Sequence, residues 1–89
     1  MTDPLLIAAR EIDPHTVVFY LEVPRSQIVL LQTYFELYDG VGTVRTLETP
    51  RNVVSVFTTP GLKNDCIEML NAIRENVAWR VCSDIPEQI

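Results

Sequence analysis

A chain of 89 residues, 47% hydrophobic and 21% charged, has room for one core and is too apolar for a disordered segment. A domain this small buries only about 60–65% of its unfolded surface, so it must use nearly all its apolar side chains or borrow a partner's surface. The net charge of −5, with seven basic residues scattered from Arg10 to Arg80, argues against nucleic acid as a partner.

Residues 1–14 read as a separate lead-in. Asp3-Pro4 is a suitable N-cap and first-turn pair, and Leu5, Ala8, Ala9 and Ile12 recur at helical spacing. A short helix, an edge strand and a loose arm all fit this stretch. Leu5 to Ala9 lacks a basic flank and is too short for a signal peptide. No apolar run approaches the ~20 residues a bilayer needs. The expected setting is the bacterial cytoplasm, with no membrane partner.

Thr16 to Val23 is rich in β-branched and aromatic residues and stops at Pro24. Val17, Phe19, Leu21 and Val23 share the face expected to meet the core, while Thr16, Val18, Tyr20 and Glu22 share a mixed face. Arg25 to Tyr38 predicts the first helix, capped by Ser26 and closed at Asp39-Gly40, where Gly40 is free to take a left-handed conformation. Ile28, Leu31, Phe35 and Tyr38 form its core stripe. Val29, Leu30, Tyr34 and Leu37 widen the apolar surface beyond one side. Such a helix needs a second neighbour, so these four residues are the candidate interface.

Val41 to Glu48 and Val53 to Thr58 predict a hairpin around Thr49-Pro50-Arg51-Asn52, too short a link for a crossover helix. Thr59-Pro60-Gly61 opens the second helix, with Thr59 as cap and Leu62, Cys66, Met69, Leu70 and Ile73 on its buried face. Val77 to Cys82 alternates as a last strand, and residues 83–89 form a tail. Strand, helix, strand, strand, helix, strand is an α+β arrangement. Right-handed crossovers then give a ferredoxin-like βαββαβ sandwich over residues 15–82, with both helices on one face of a four-stranded antiparallel sheet.

No catalytic constellation is legible. His15 is the only histidine, and no serine has the context of a nucleophile elbow. One histidine and two distant cysteines do not make a zinc site, and no calcium loop appears, so neither metal nor cofactor is expected. Gly40-Val41-Gly42 follows a helix instead of a strand and is no dinucleotide fingerprint. Cys66 and Cys82 leave a thiol redox pair open as the alternative to two buried, inert thiols. Arg25 and Ser26 at the first helix start, with Arg45 from the sheet, are the candidate ligand-binding residues for a small anion.

The stretches Arg25-Ser26, Glu36-Leu-Tyr-Asp-Gly40, Val44-Arg-Thr-Leu47 and Val54 to Gly61 resemble the bacterial family called domain of unknown function 4911. That resemblance carries no activity with it. The inferred topology is also similar to the amino-acid-binding regulatory ACT domains, which hold effectors near the first strand-to-helix loop. Here that loop, Val23-Pro24-Arg25-Ser26, lacks their frequent glycine. The functional expectation is a non-enzymatic regulatory or interaction domain, a homodimer or a partner of another protein, that binds a small anion or amino acid. The alternatives are a subunit of a larger complex and a small redox protein using Cys66 and Cys82.

Overall fold

The computed structural model describes residues 3–38, 40–46 and 52–82. The chain opens with helix Pro4–Ala8 (α1), strand Arg10–Asp13 (β1) and strand Thr16–Glu22 (β2). A 3-10 turn, Arg25–Gln27, leads into helix Ile28–Leu37 (α2), and strands Thr43–Thr46 (β3) and Val53–Thr58 (β4) follow. Helix Lys63–Ala72 (α3) and strand Arg80–Val81 (β5) complete the described chain.

All strand pairings are antiparallel: β1 with β2, β2 with β4, β4 with β3, and β5 with β2. The four strands β5-β2-β4-β3 have the ferredoxin-like order, and each helix bridges two parallel strands that flank a third. Period-two alternation decides the layers. Val17, Phe19, Leu21 and Val23 from β2 and its extension join Val54 and Val56 of β4 in one buried cluster. Leu31 and Phe35 of α2 enter it, as do Cys66, Ile67, Met69 and Leu70 of α3. Both helices therefore cover the same face. Each large apolar side chain buried there contributes roughly 1.5–3 kcal/mol by transfer from water.

The sheet carries one strand more than the pattern predicts. β5 pairs only Leu21 and Glu22, with Cys82 N–H adding one bond to the Tyr20 carbonyl at 2.9 Å. The first half of that edge would leave backbone groups without partners. β1 supplies them, opposite Thr16, Val17 and Val18. The lead-in thus holds both a helix and an edge strand. Asp3 caps α1 by accepting the Leu5 N–H at 2.8 Å, and Leu5 is buried in the common core.

Several boundaries differ from the sequence reading. The first helix begins as a 3-10 turn in which Gln27 N–H bonds the Pro24 carbonyl, and Ser26 caps nothing. Tyr38 lies past the helix end and is exposed, leaving Leu31 and Phe35 to carry the stripe. Thr59 closes a separate turn by accepting the Leu62 N–H, so α3 starts at Lys63 with Leu62 at its cap. The last strand shrinks to two residues because Val77 N–H still bonds the Ile73 carbonyl and holds the chain in a turn. Gly40 has φ +94°, as its place beyond a helix end requires. Asp39, most of the Thr49–Asn52 turn and the tail lie outside the described residues.

Candidate functional site

β2 runs out at Glu22, and the chain must then turn to enter α2. Val23 N–H is held by the Asn52 carbonyl at 2.9 Å, which keeps the strand beside the entry to β4. Pro24 has no N–H to offer, and its carbonyl closes the 3-10 turn. From the other side, the Gln27 side-chain oxygen accepts the Ala78 N–H at 2.7 Å and ties the approach to β5 against the same turn. Two residues later Arg80 stands opposite Glu22 in the β2–β5 register, and its Nε donates to Glu22 Oε1 at 2.6 Å.

These ties enclose an open cleft of about 470 Å³ lined by Glu22, Val23, Pro24, Asn52, Ala78 and Arg80. The Arg80 side chain is 77% exposed and that of Glu22 25%. An ion pair so wet adds well under ~1 kcal/mol of stability. Its effect is positional: it stands the guanidinium at the cleft wall.

Of the residues singled out from sequence, Arg25 and Ser26 lie exposed on the 3-10 turn immediately after Pro24, adjoining this cleft. Arg45 is elsewhere. It projects from β3 with its guanidinium 5.6 Å from the Phe57 ring centroid, and β4 separates it from β2, about 10 Å at ~4.8 Å per strand. Val29 and Leu37 are 70% and 72% exposed, and Leu30 is exposed beside them. Tyr34 turns inward instead, packing on the core while its hydroxyl accepts from Asn76 Nδ2 at 2.9 Å.

The two cysteines occupy different sides of the sheet. Cys66 is a thiol inside the helix-covered core, and burial pushes its pKa up to about 12. Cys82 follows β5 in the register position opposite Tyr20, on the sheet's other side, where it too is buried along with Val18 and Val53. His15 is exposed in the β1–β2 turn, where its backbone N–H donates to Asp13 Oδ1 at 2.7 Å and holds that carboxyl below its usual range. Among the described residues no group of three or more His, Cys, Asp or Glu is placed to hold a metal ion. No described helix is long and apolar enough to cross a membrane.

Sequence reasoning alone misses Glu22, Asn52 and Arg80. One signal is available: Glu22 and Arg80 occupy the non-core phase of strands that become neighbours in a βαββαβ sheet, and they carry opposite charges.

No curated protein and no solved structure matches the chain significantly. The family model described as Domain of unknown function (DUF4911) matches residues 21–77, from the end of β2 through α3 to the turn before β5. With well over half of its length matched, the chain belongs to the DUF4911 family.

Proposed function

We propose that this domain is a non-catalytic regulatory or interaction module that associates with a second copy through the outer side of α2 and takes a small ligand in the cleft beside Arg25 and Ser26. The observation that carries the reading is the uncovered strip Val29, Leu30 and Leu37 on a helix whose opposite side is already spent on the core. Glu36 is the sole charged residue of α2, so a two-fold copy brings few like charges together. That favours self-association over a partner chosen by charge.

The strip offers an apolar patch on the order of 300 Å², against the ~800 Å² per partner of a stable interface. The association is accordingly weak and depends on concentration. A thiol redox role has little to support it, since a core thiol with a pKa near 12 is neither nucleophile nor easy reductant at neutral pH. Sedimentation across a concentration series tests the reading. A rise in average mass toward twice the chain mass supports it, and a monomer throughout the series refutes it.

A further inference from the structure

We propose that the notch where β1 and β5 meet end to end along β2 binds a small aliphatic monocarboxylate. Arg10 and the Tyr20 hydroxyl receive its carboxylate, and Pro4, Ile7, Ala8 and Val81 surround its chain. The two short strands share one edge of β2. Arg10 opens β1 opposite Val18, and Cys82 follows β5 with its N–H on the Tyr20 carbonyl at 2.9 Å. Only Phe19 lies between those two pairings, so the edge is interrupted where β5 ends and β1 begins. α1 stands across that break. Leu5 is buried in the helix-covered core, and Asp3 Oδ2 accepts from Asn71 Nδ2 at 2.8 Å, which together fix the helix. Pro4, Ile7 and Ala8, spaced at i, i+3 and i+4, then line a cavity of about 290 Å³ with Arg10, Tyr20, Val81 and Cys82. It shares none of these residues with the cleft beside Arg25 and Ser26 and is a second site.

The lining selects the ligand. Strand alternation puts Arg10, Val18 and Tyr20 on one side of the sheet, with Arg10 and Tyr20 diagonal neighbours about 7–8 Å apart. A carboxylate between them bonds to both. Neither the guanidinium nor the hydroxyl has a partner among the described residues. Arg10 is the only charged side chain among the described lining residues. An anion therefore meets no acidic neighbour there, and an ammonium group finds no counter-charge. Glu11, next along β1, falls on the opposite side of the pleat. On a chain of net charge −5, one carboxylate is repelled less than a dianion. The rest of the wall is largely aliphatic, and Ile7 is 74% exposed in the free protein, apolar surface that an alkyl chain would cover. At ~30 Å³ per water-sized group, about 290 Å³ admits roughly ten non-hydrogen atoms, enough for a six-carbon acid.

The test uses sodium hexanoate as probe and follows the Ile7 methyl groups and the Ala8 and Cys82 amides by NMR. Hexanoate is expected to shift them in a saturable titration below roughly 50 mM. From acetate through butyrate to hexanoate, affinity should rise about two- to fourfold per methylene. Hexan-1-ol, which keeps the chain and lacks the charge, should bind about tenfold more weakly. Arg10→Gln should weaken hexanoate by about tenfold and leave hexan-1-ol unchanged. Tyr20→Phe should weaken hexanoate several-fold. Ile7→Ser, at an exposed position, should flatten the chain-length series. Arg45→Gln, at the far edge of the sheet, should change nothing. The proposal is overturned if hexanoate gives no saturable shifts at these groups, or if hexan-1-ol binds the wild-type protein as tightly. It is equally overturned if Arg10→Gln, with an otherwise unchanged amide spectrum, binds hexanoate as wild type does.

Discussion

The indole Nε1 of Trp79 donates to the carbonyl of Leu70 at 2.7 Å, in a buried setting. The carbonyl belongs to the last turn of α3, where backbone acceptors run out of partners. Arg74 N–H, the natural donor, turns to the Asn71 carbonyl instead. Trp79 thus satisfies a helix-end group from the approach to β5. The Arg74 guanidinium lies 4.2 Å over the same ring and closes it from solvent. Trp79→Phe keeps an aromatic ring but leaves the carbonyl without its donor, and should cost about 1–3 kcal/mol. Arg74→Met keeps the packing and loses only the cation, costing about 0.5–1 kcal/mol. Urea unfolding of both variants checks the order; equal losses would show that the hydrogen bond contributes nothing of its own.

The fold was legible where periodicity and punctuation agreed. Thr16 to Val23 alternates cleanly between faces, and Cys66, Met69, Leu70 and Ile73 recur at helical spacing, so both elements and their buried sides follow from residue order alone. β1 was less legible because Arg10-Glu11-Ile12-Asp13 buries nothing. It forms because β5 is too short to pair the whole edge of β2, a fact of tertiary arrangement. The cleft was hidden for a similar reason. Glu22 and Arg80 are 58 residues apart, and only the β2–β5 register makes them partners. Tyr34 reads in sequence with Val29, Leu30 and Leu37 as surplus apolar surface, yet its hydroxyl accepts from Asn76, 42 residues on in the turn after α3, a partner that only the tertiary arrangement supplies.

The α2 association predicts variants that separate folding from assembly. Val29→Asp and Leu37→Glu replace exposed side chains, so each should change folding stability by no more than about 0.5 kcal/mol. Each should also hold the protein monomeric at concentrations where wild type self-associates. Tyr34→Phe supplies the contrast. It removes the acceptor of the Asn76 bond, should cost about 0.5–1.5 kcal/mol, and should leave association unchanged. Paired denaturation and sedimentation measurements distinguish the two kinds of effect.

Cys66 gives the domain an alkaline limit. Its thiol is raised from an ordinary 9.0 to about 12 by burial in the core. Between those values the unfolded chain has lost the proton and the folded one retains it, so the unfolded state binds fewer protons and unfolding becomes easier as pH rises. The contribution is intact below pH 9 and is lost as pH climbs through 12. Stability measured from pH 8 to pH 11 should fall, and the fall should flatten in Cys66→Ala. At pH 8 an aromatic disulfide reagent should leave the Cys66 thiol of the native protein unmodified and react with it promptly in denaturant. Rapid native modification at Cys66 would contradict the buried placement.

Gly42 is the residue whose need for a bare backbone the sequence concealed. Lying at the entry of the predicted strand Val41 to Glu48, it carries no sequence mark of its own, and Gly40 close by has the positive φ. The constraint at Gly42 is space. A Cβ there would come within 2.7 Å of the Phe57 carbonyl oxygen and 3.2 Å of Phe35 Cε2. The first neighbour is backbone in the middle of the sheet, where Phe57 pairs Thr43 on one side and Val18 on the other. It cannot yield without disturbing two ladders, and Phe35 is itself packed in the core. Gly42→Ala should therefore destabilise the fold by about 1–3 kcal/mol through overpacking, despite removing a flexible residue from the unfolded chain. Gly40→Ala should also be unfavourable, for a different reason: nothing lies within 4 Å of its Cβ position, so the cost is conformational. Combining Gly42→Ala with Phe35→Leu separates the two contacts at Gly42. If the ring is the obstacle, the penalty for Gly42→Ala shrinks once Phe35→Leu has removed it; if the Phe57 carbonyl is, the penalty persists, as its shorter distance requires.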